Sequence, residues 1–288
     1  MFQEGSIYTK LVFLSIAAPF IIIKSSISDF LLTIILSSLI SISSYKFKFL
    51  NFRGTLAIFL LASVIFGLGG WKWTVPLLVF FVLSSLISKL KRKTPSVTEI
   101  YIEKSMPRNG IQVLANGGIG GILVILNYFF PSELFYIVFV SSVAAVCADT
   151  WSTEIGTFKQ SATVNILSFK EIQQGASGGI SIPGTIGGVL GASIIAASSL
   201  MWLGLKHINY IIFIIFAGIV GNLFDSILGA SLQAKYKCNV CSKITERNFH
   251  CGQNSILIKG FKIINNDMVN FATAAMGGLF GFLFIQIL

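Results

Sequence analysis

Residues 210–232 read YIIFIIFAGIVGNLFDSILGASL. Up to Gly221 this stretch has no charged or amide side chain. As a helix at about 1.5 Å per residue, the whole of it covers the roughly 30 Å hydrocarbon core of a bilayer. Its second half carries Asn222 and Asp225, three residues apart and so on one helical face. An ionisable group at the centre of a membrane helix costs at least about 2.5–3.5 kcal/mol, so a residue of this kind points to function. The stretch therefore reads as a membrane helix that carries chemistry toward one end.

Eight further apolar runs lie at 6–23, 30–44, 55–69, 73–90, 111–130, 134–149, 182–205 and 268–288. Together they predict an all-α, polytopic transmembrane bundle of about nine helices. Composition agrees: 54% of residues are hydrophobic, only 11% are charged and mean hydropathy is +0.83. Soluble domains carry about 25% charged residues, so this chain has too few charges to cover its surface in water. The run 6–23 is followed by Lys24 and two serines, with no small-residue cleavage site, and reads as a first membrane helix.

The loops set the direction. With a cytoplasmic N-terminus, only Lys24, Lys72 and Lys206 of the 21 basic residues fall on the outer side. A wrong helix count would scramble that split. The expectation is a multi-pass protein of the cell membrane, with its net charge of +10 facing anionic lipid. Nucleic-acid binding is excluded as a reading, because no basic, aromatic-interleaved domain is present to carry it. Three cytoplasmic loops are long, at 89–110, 150–181 and 233–267. The four N-terminal helices are nearly free of polar signatures. The chain is thus divided into an N-terminal scaffold, residues 1–93, and a C-terminal functional core, residues 94–288.

Polar residues recur at one depth. Asn116 lies in QVLANGGIGG (112–121), and Asp149 and Glu154 lie in ADTWSTEIG (148–156). Asn266, Asp267 and Asn270 lie in NNDMVN (265–270), at the start of the last helix. Asp149, Asp225 and Asp267 can converge there as hard oxygen ligands for Mg²⁺, a cation usually held by one or two carboxylates plus substrate phosphates. Helix capping is the plainer role for Asp267. Asp149, Glu154 and Asp225 are the candidate catalytic acids, with Asn116, Asn222, Asn266 and Asn270 as binding amides beside them. Residues 174–188 read QGASGGISIPGTIGG. A Gly/Ser-rich loop that runs into a helix offers backbone N–H groups and partial positive charge to an anion. Gly175, Ser177, Gly178 and Gly179 fit that role, while Gly184/Gly188 and Gly187/Gly191 have the spacing of close helix packing. Lys104 and Arg108, in KSMPRNG (104–110), can clamp a phosphate, or serve as ordinary positive-inside anchors.

The segment CNVCSKITERNFHC (238–251) sets Cys238, Cys241, His250 and Cys251 close together in sequence. They can hold a structural Zn²⁺, but the spacing is not a standard finger and His250–Cys251 are adjacent. The favoured reading is reduced, unliganded thiols in a cytoplasmic loop. The chain has 2 histidines, His207 and His250, neither in the helical constellation. That favours chemistry built on positioning and charge neutralisation, as in phosphoryl transfer.

Taken in order, QVLANGGIGG, ADTWSTEIG, the Gly/Ser-rich stretch, GNLFDSILGASLQ and NNDMVN resemble the integral membrane "domain of unknown function 92" family. The resemblance runs from about Lys104 to the C-terminus. That family includes a plant phytyl-phosphate kinase of tocopherol biosynthesis. The resemblance implies phosphoryl transfer from a nucleotide, CTP by that analogy, to an isoprenyl monophosphate, and the carboxylates read above add Mg²⁺ as the expected cofactor. A fainter similarity links Asp149–Glu154 and the following glycine loop to CTP-using dolichol and phytol kinases and to CDP-diacylglycerol synthase. The Lys and Glu of the nucleotide-binding string in those enzymes have no counterpart in GTIGG (184–188). Two alternatives accompany the kinase reading: a nucleotidyltransferase making a CDP-lipid, and an ion or small-molecule transporter.

Overall fold

The computed structural model describes residues 27–92, 107–203 and 208–286. Its helices are α1 (Ile27–Lys46), α2 (Phe52–Arg92), α3 (Gly110–Phe129), α4 (Glu133–Gly156), α5 (Ile182–Leu203), α6 (Ile208–Ser231) and α7 (Asn266–Ile285). All 7 are long and apolar enough to cross a membrane. The expected run 6–23 lies outside the described residues.

α2 is two spans in one. At Gly70 the backbone leaves the helical region with φ 64° and ψ −158°, a conformation open essentially to glycine alone. The chain reverses there. Phe49 precedes the start of α2, and Lys89, near its far end, sets its ammonium 5.6 Å from the Phe49 ring. Both ends of α2 therefore lie at the same end of the bundle. The limbs 52–69 and 71–92 match the two separate runs read from sequence, with no loop between them.

On α1 burial is inverted relative to a helix of a water-soluble protein. α1 buries Thr33, Ser37, Ser41 and Ser44, whereas Leu31, Ile35, Leu39 and Ile42 are exposed. The buried hydroxyls of Thr33, Ser41 and Ser44 donate to carbonyls four residues earlier, so they need no partner from outside the helix. Small residues facing inward and large apolar ones facing outward suit a lipid solvent, where close packing replaces the hydrophobic effect as the driver of helix association.

α4 is the axis of the fold. It packs against α2, α3, α5, α6 and α7, and every residue from 139 to 148 is buried. Over this stretch the side chains are mostly small and apolar, as suits a helix packed on all sides. Glycines on its neighbours allow that crowding. A Cβ at Gly191 on α5 would stand 2.8 Å from the Cys147 carbonyl oxygen, and one at Gly187 would stand 2.7 Å from that of Trp151. Gly218 and Gly221 on α6 press on Ala144 and Ala145, and Gly277 on α7 also meets Ala145. The packing role expected for the later glycines is what the structure shows.

The membrane part is all-α, as expected. Its long loops add short antiparallel strands that the sequence reading did not include. β1 (Val164–Asn165) pairs with β2 (Gly179–Ile180). β3 (Lys235–Lys237) lies between β4 (Ile244–Thr245) and β7 (Ile256–Lys259), and β5 (Phe249–His250) pairs with β6 (Gln253–Asn254). Strands of two to four residues are too short to show an alternating pattern in sequence.

Candidate functional site

One open cavity lies where the polar ends of the helices meet the two long loops. Four helices supply most of its polar side chains. α3 supplies Gln112 and Asn116, α4 supplies Asp149 and Thr153, α6 supplies Asn222, Asp225 and Ser226, and α7 supplies Asn266 and Asn270. The pairs on α3 and α7 are four residues apart, as on one helical face, while the last turns of α4 line the cavity more broadly, with Thr150, Ser152 and Glu154 as well. Capping fixes where two of the helices begin. Asn109 and Gln112 form a reciprocal capping box at α3. The Asn265 side chain accepts from the Met268 N–H at α7.

Asp225 is held from the neighbouring helix: Thr273 Oγ1 donates to its Oδ2 at 2.9 Å. The amide of Asn222 sits against the position that a Cβ on Gly188 would claim, at 2.6 Å. The glycine of α5 thus leaves room for a cavity side chain of α6. The donors around this floor are carboxylate, amide and hydroxyl oxygens, the set that suits a hard cation such as Mg²⁺ rather than a soft one.

The glycine-rich loop forms another wall. Gly175, Ser177, Gly178, Gly179 and Ser181 all line the cavity. Gln174 Nε2 lies 2.7 Å from both the Gly156 and Lys159 carbonyl oxygens and ties the loop to the end of α4. Gly178 has φ 83°, and a Cβ there would meet the Ala230 backbone nitrogen at 2.6 Å, so the loop folds only with glycine at this position. Ser181 Oγ accepts from the Gly184 N–H, and the start of α5 opens onto the cavity. Arg108 also lines it. Its backbone is fixed by the α1–α2 turn: Arg108 N–H donates to the Phe49 carbonyl, and Asn51 N–H donates to the Arg108 carbonyl, each at 3.0 Å.

Three expectations change. Asp267 does not line the cavity. It stands in the first turn of α7, one residue past Asn266 and so rotated about 100° away, where an acid favours the helix dipole. The carboxylate floor is thus formed by Asp149 and Asp225, with Asn266 and Asn270 representing α7. Glu154 borders the cavity but is 3% exposed, and its oxygens are engaged by α2. Ser88 Oγ donates to Glu154 Oε1 at 2.6 Å, and Lys91 Nζ lies 3.4 Å from Oε2. That makes Glu154 a tie between α2 and α4. The scaffold is also not separate from the site, since Phe49, Ser85 and Ser88 line it. Lys104 lies outside the described residues.

Glu246 was missed by sequence reading. It lines the cavity from the C-terminal loop. Ser177 Oγ donates to its Oε1, and Gln233 Nε2 donates to its Oε2 at 3.1 Å. Lys235 Nζ donates to the Ser177 carbonyl at 3.2 Å. Burial, and then neighbouring Lys259, hold the Lys235 ammonium below its usual range, against an opposite pull from Glu246. The available signal was scarcity. A chain with 11 acidic residues places few of them beside polar helix ends.

Beyond the cavity, Cys238, Cys241, His250 and Cys251 come together, with one ligand atom of each within 4.8 Å of the others. Residues distant in the loop therefore do form a cluster, as the zinc alternative required.

Fold and site together define a polytopic integral membrane protein with an acid- and amide-lined cavity at one end of its bundle. The chain belongs to the integral membrane protein DUF92 family, whose model matches residues 35–278. It is 29% identical to Protein PGR of Arabidopsis thaliana over 264 residues, covering 83% of this chain and 90% of the relative. It is also 29% identical to an uncharacterized membrane protein of Methanocaldococcus jannaschii over 255 residues, covering 87% and 92%. Protein VTE6, chloroplastic, of Arabidopsis thaliana is 26% identical over 268 residues, covering 91% of this chain and 72% of that one. No solved structure matches the chain.

Proposed function

We propose that this protein is a membrane-embedded kinase that transfers a phosphoryl group from a nucleotide, CTP by family analogy, to an isoprenyl monophosphate and so makes the diphosphate. The observation that carries the reading is the cavity lined by Asp149, Asp225, five helix amides, a glycine-rich loop and Arg108. Carboxylates call for a cation, and N–H groups with a guanidinium call for anions. A metal–phosphate substrate satisfies both walls at once. The similarity to Protein VTE6, chloroplastic, and the motif resemblance to a phytyl-phosphate kinase support an isoprenoid acceptor.

In this reading the isoprenyl tail lies among the helices and the phosphates lie at the polar end, taken as cytoplasmic, where nucleotide is available. Asp149 and Asp225 would hold Mg²⁺, with Asn116, Asn222 and Asn270 beside them. Bound there, Mg²⁺ would neutralise charge on the phosphates. The chain's own residues position the substrates: the 175–179 loop and Arg108 bind phosphate oxygens, and Thr273 orients Asp225. Phosphoryl transfer needs little more from a protein than positioning and electrostatics, which fits a cavity with no histidine among the described residues that line it.

The test is purified protein in detergent with CTP or ATP, Mg²⁺ and geranylgeranyl or phytyl monophosphate. The expected products are the isoprenyl diphosphate and a nucleoside diphosphate. Pyrophosphate release with a CDP-lipid product would replace the kinase by a nucleotidyltransferase. Ion flux in liposomes without nucleotide turnover would replace both by a transporter.

A further inference from the structure

The loop between α6 and α7 carries two hairpins whose tips face one another. β3 and β4 pair Tyr236 with Thr245 and Lys237 with Ile244, so C-x-x-C (238–241) forms the first tip. Cys238 N–H donates to the Lys243 carbonyl at 2.9 Å, Ser242 N–H donates back to the Cys238 carbonyl at 3.0 Å, and Ser242 takes φ 57° to close the turn. The Val240 N–H points at Cys238 Sγ, 3.4 Å away. Backbone N–H groups aimed at sulfur favour the thiolate form that binds metal. In the second hairpin β5 and β6 pair Phe249 with Asn254 and His250 with Gln253. Its tip is Cys251–Gly252, both at positive φ, 50° and 77°. Such a turn ordinarily selects Asn, Asp or Gly at its first position. A cysteine there accepts a backbone conformation that L side chains rarely adopt, and its sulfur lies 3.2 Å from His250 Nδ1.

His250 Nδ1 also lies 3.6 Å from Cys241 Sγ. A tetrahedral zinc with Zn–S near 2.3 Å and Zn–N near 2.0–2.1 Å requires ligand–ligand edges of about 3.6–3.8 Å. The observed spacings fall around that value, and all four ligand atoms lie within 4.8 Å of one another. Adjacency of His250 and Cys251, an obstacle in a continuous helix or strand, is resolved by the tight turn that swings the Cys251 sulfur back toward the ring.

We propose that Cys238, Cys241, His250 and Cys251 form a structural Zn²⁺ site that clamps the two hairpins together. Three thiolates and an imidazole form a soft, closed set of four, which suits zinc and leaves no position for substrate. The clamp bears on the cavity by position. Glu246 follows β4 directly, between the two ligand pairs, and reaches Ser177 of the glycine loop. The base of the module is fixed independently: Lys259 Nζ donates to the Ala230 carbonyl at the end of α6, at 2.7 Å. Metal at the tips and Lys259 at the base together fix the chain segment that carries Glu246. The site does not depend on the kinase reading.

The test is metal analysis of the full-length protein purified in detergent without chelators. About one zinc per chain is expected. Cys238→Ser should lose it, while Cys147→Ala, in α4, should keep it. Cobalt in place of zinc should give thiolate-to-metal charge-transfer absorption. On the unaltered protein, thiol labelling should find Cys238, Cys241 and Cys251 protected until a strong chelator exposes them. That readout stands even if Cys238→Ser does not fold. Metal well below stoichiometry after addition of zinc would overturn the proposal, and so would a disulfide among these three cysteines in the native protein.

Discussion

The floor and the lid of the cavity place their acids by different means. Asp149 and Asp225 sit on helices pressed together through glycine, with backbone meeting backbone at Gly187 and Gly191 and no room for a methyl group. Glu246 sits on a small β module that meets the rest through side-chain bonds of Ser177, Gln233, Lys235 and Lys259 and a backbone bond from the Phe261 N–H to the Leu232 carbonyl. The floor is rigid because its scaffold has one packing solution. The lid is specified by polar contacts that can be broken one at a time. Damage to the floor's packing should therefore abolish the fold, whereas damage to the lid should spare the fold and reduce turnover.

The largest expected effect is Gly191→Leu. Its side chain would have to enter the space held by the Cys147 backbone, and no monodisperse protein should be recovered by size-exclusion chromatography in detergent. Gly118→Leu is the control: nothing lies within 4 Å of a Cβ there, so expression and thermal stability should be unchanged. Recovery of a stable Gly191→Leu protein would refute the rigid floor.

Next come the acids. Asp225→Asn and Asp149→Asn should each lower kcat roughly a hundredfold or more, on the scale of a lost electrostatic contact to the transition state, with little change in KM. Asp267→Asn should stay within a few-fold of the original, because that carboxylate stands off the cavity. Equal losses at all three positions would restore Asp267 to the site and blur the contrast.

The tie between scaffold and floor is intermediate. Lys91→Ala leaves the Glu154 carboxylate buried without its ammonium, and breaking such a pair typically costs about 3–5 kcal/mol. A thermal unfolding series should show the loss, and Lys91→Met combined with Glu154→Met should recover much of it. The smallest effect is at the lid. Glu246→Gln should reduce turnover by about tenfold, the scale of one net hydrogen bond to a charged group, and leave the melting temperature unchanged. A collapse of stability there would mean that the module is part of the packed core.

The spans were legible in the sequence because lipid imposes a demand that water does not: about 20 apolar residues in a row. The floor was legible for the same reason, since Asn222 and Asp225 contradict their surroundings. Asp267 was misplaced because its three-residue spacing to Asn270 suggested a shared face, and the register that matters pairs Asn270 with Asn266. The lid was hidden. Strands of two residues have no period, and Glu246 stood among thiols that drew the eye to metal chemistry.

The single-residue reversal at Gly70 bears on how this protein reaches its membrane. Limbs 52–69 and 71–92 share no linker that would let one wait outside while the other settles. The two limbs are therefore expected to enter lipid as a pair. A tag or glycan acceptor placed between them would have to unwind helix on both sides to be seen. Insertion mapping across 66–74 should accordingly find a gap in tolerated sites, in contrast to ordinary outer loops, where such insertions are readily accepted.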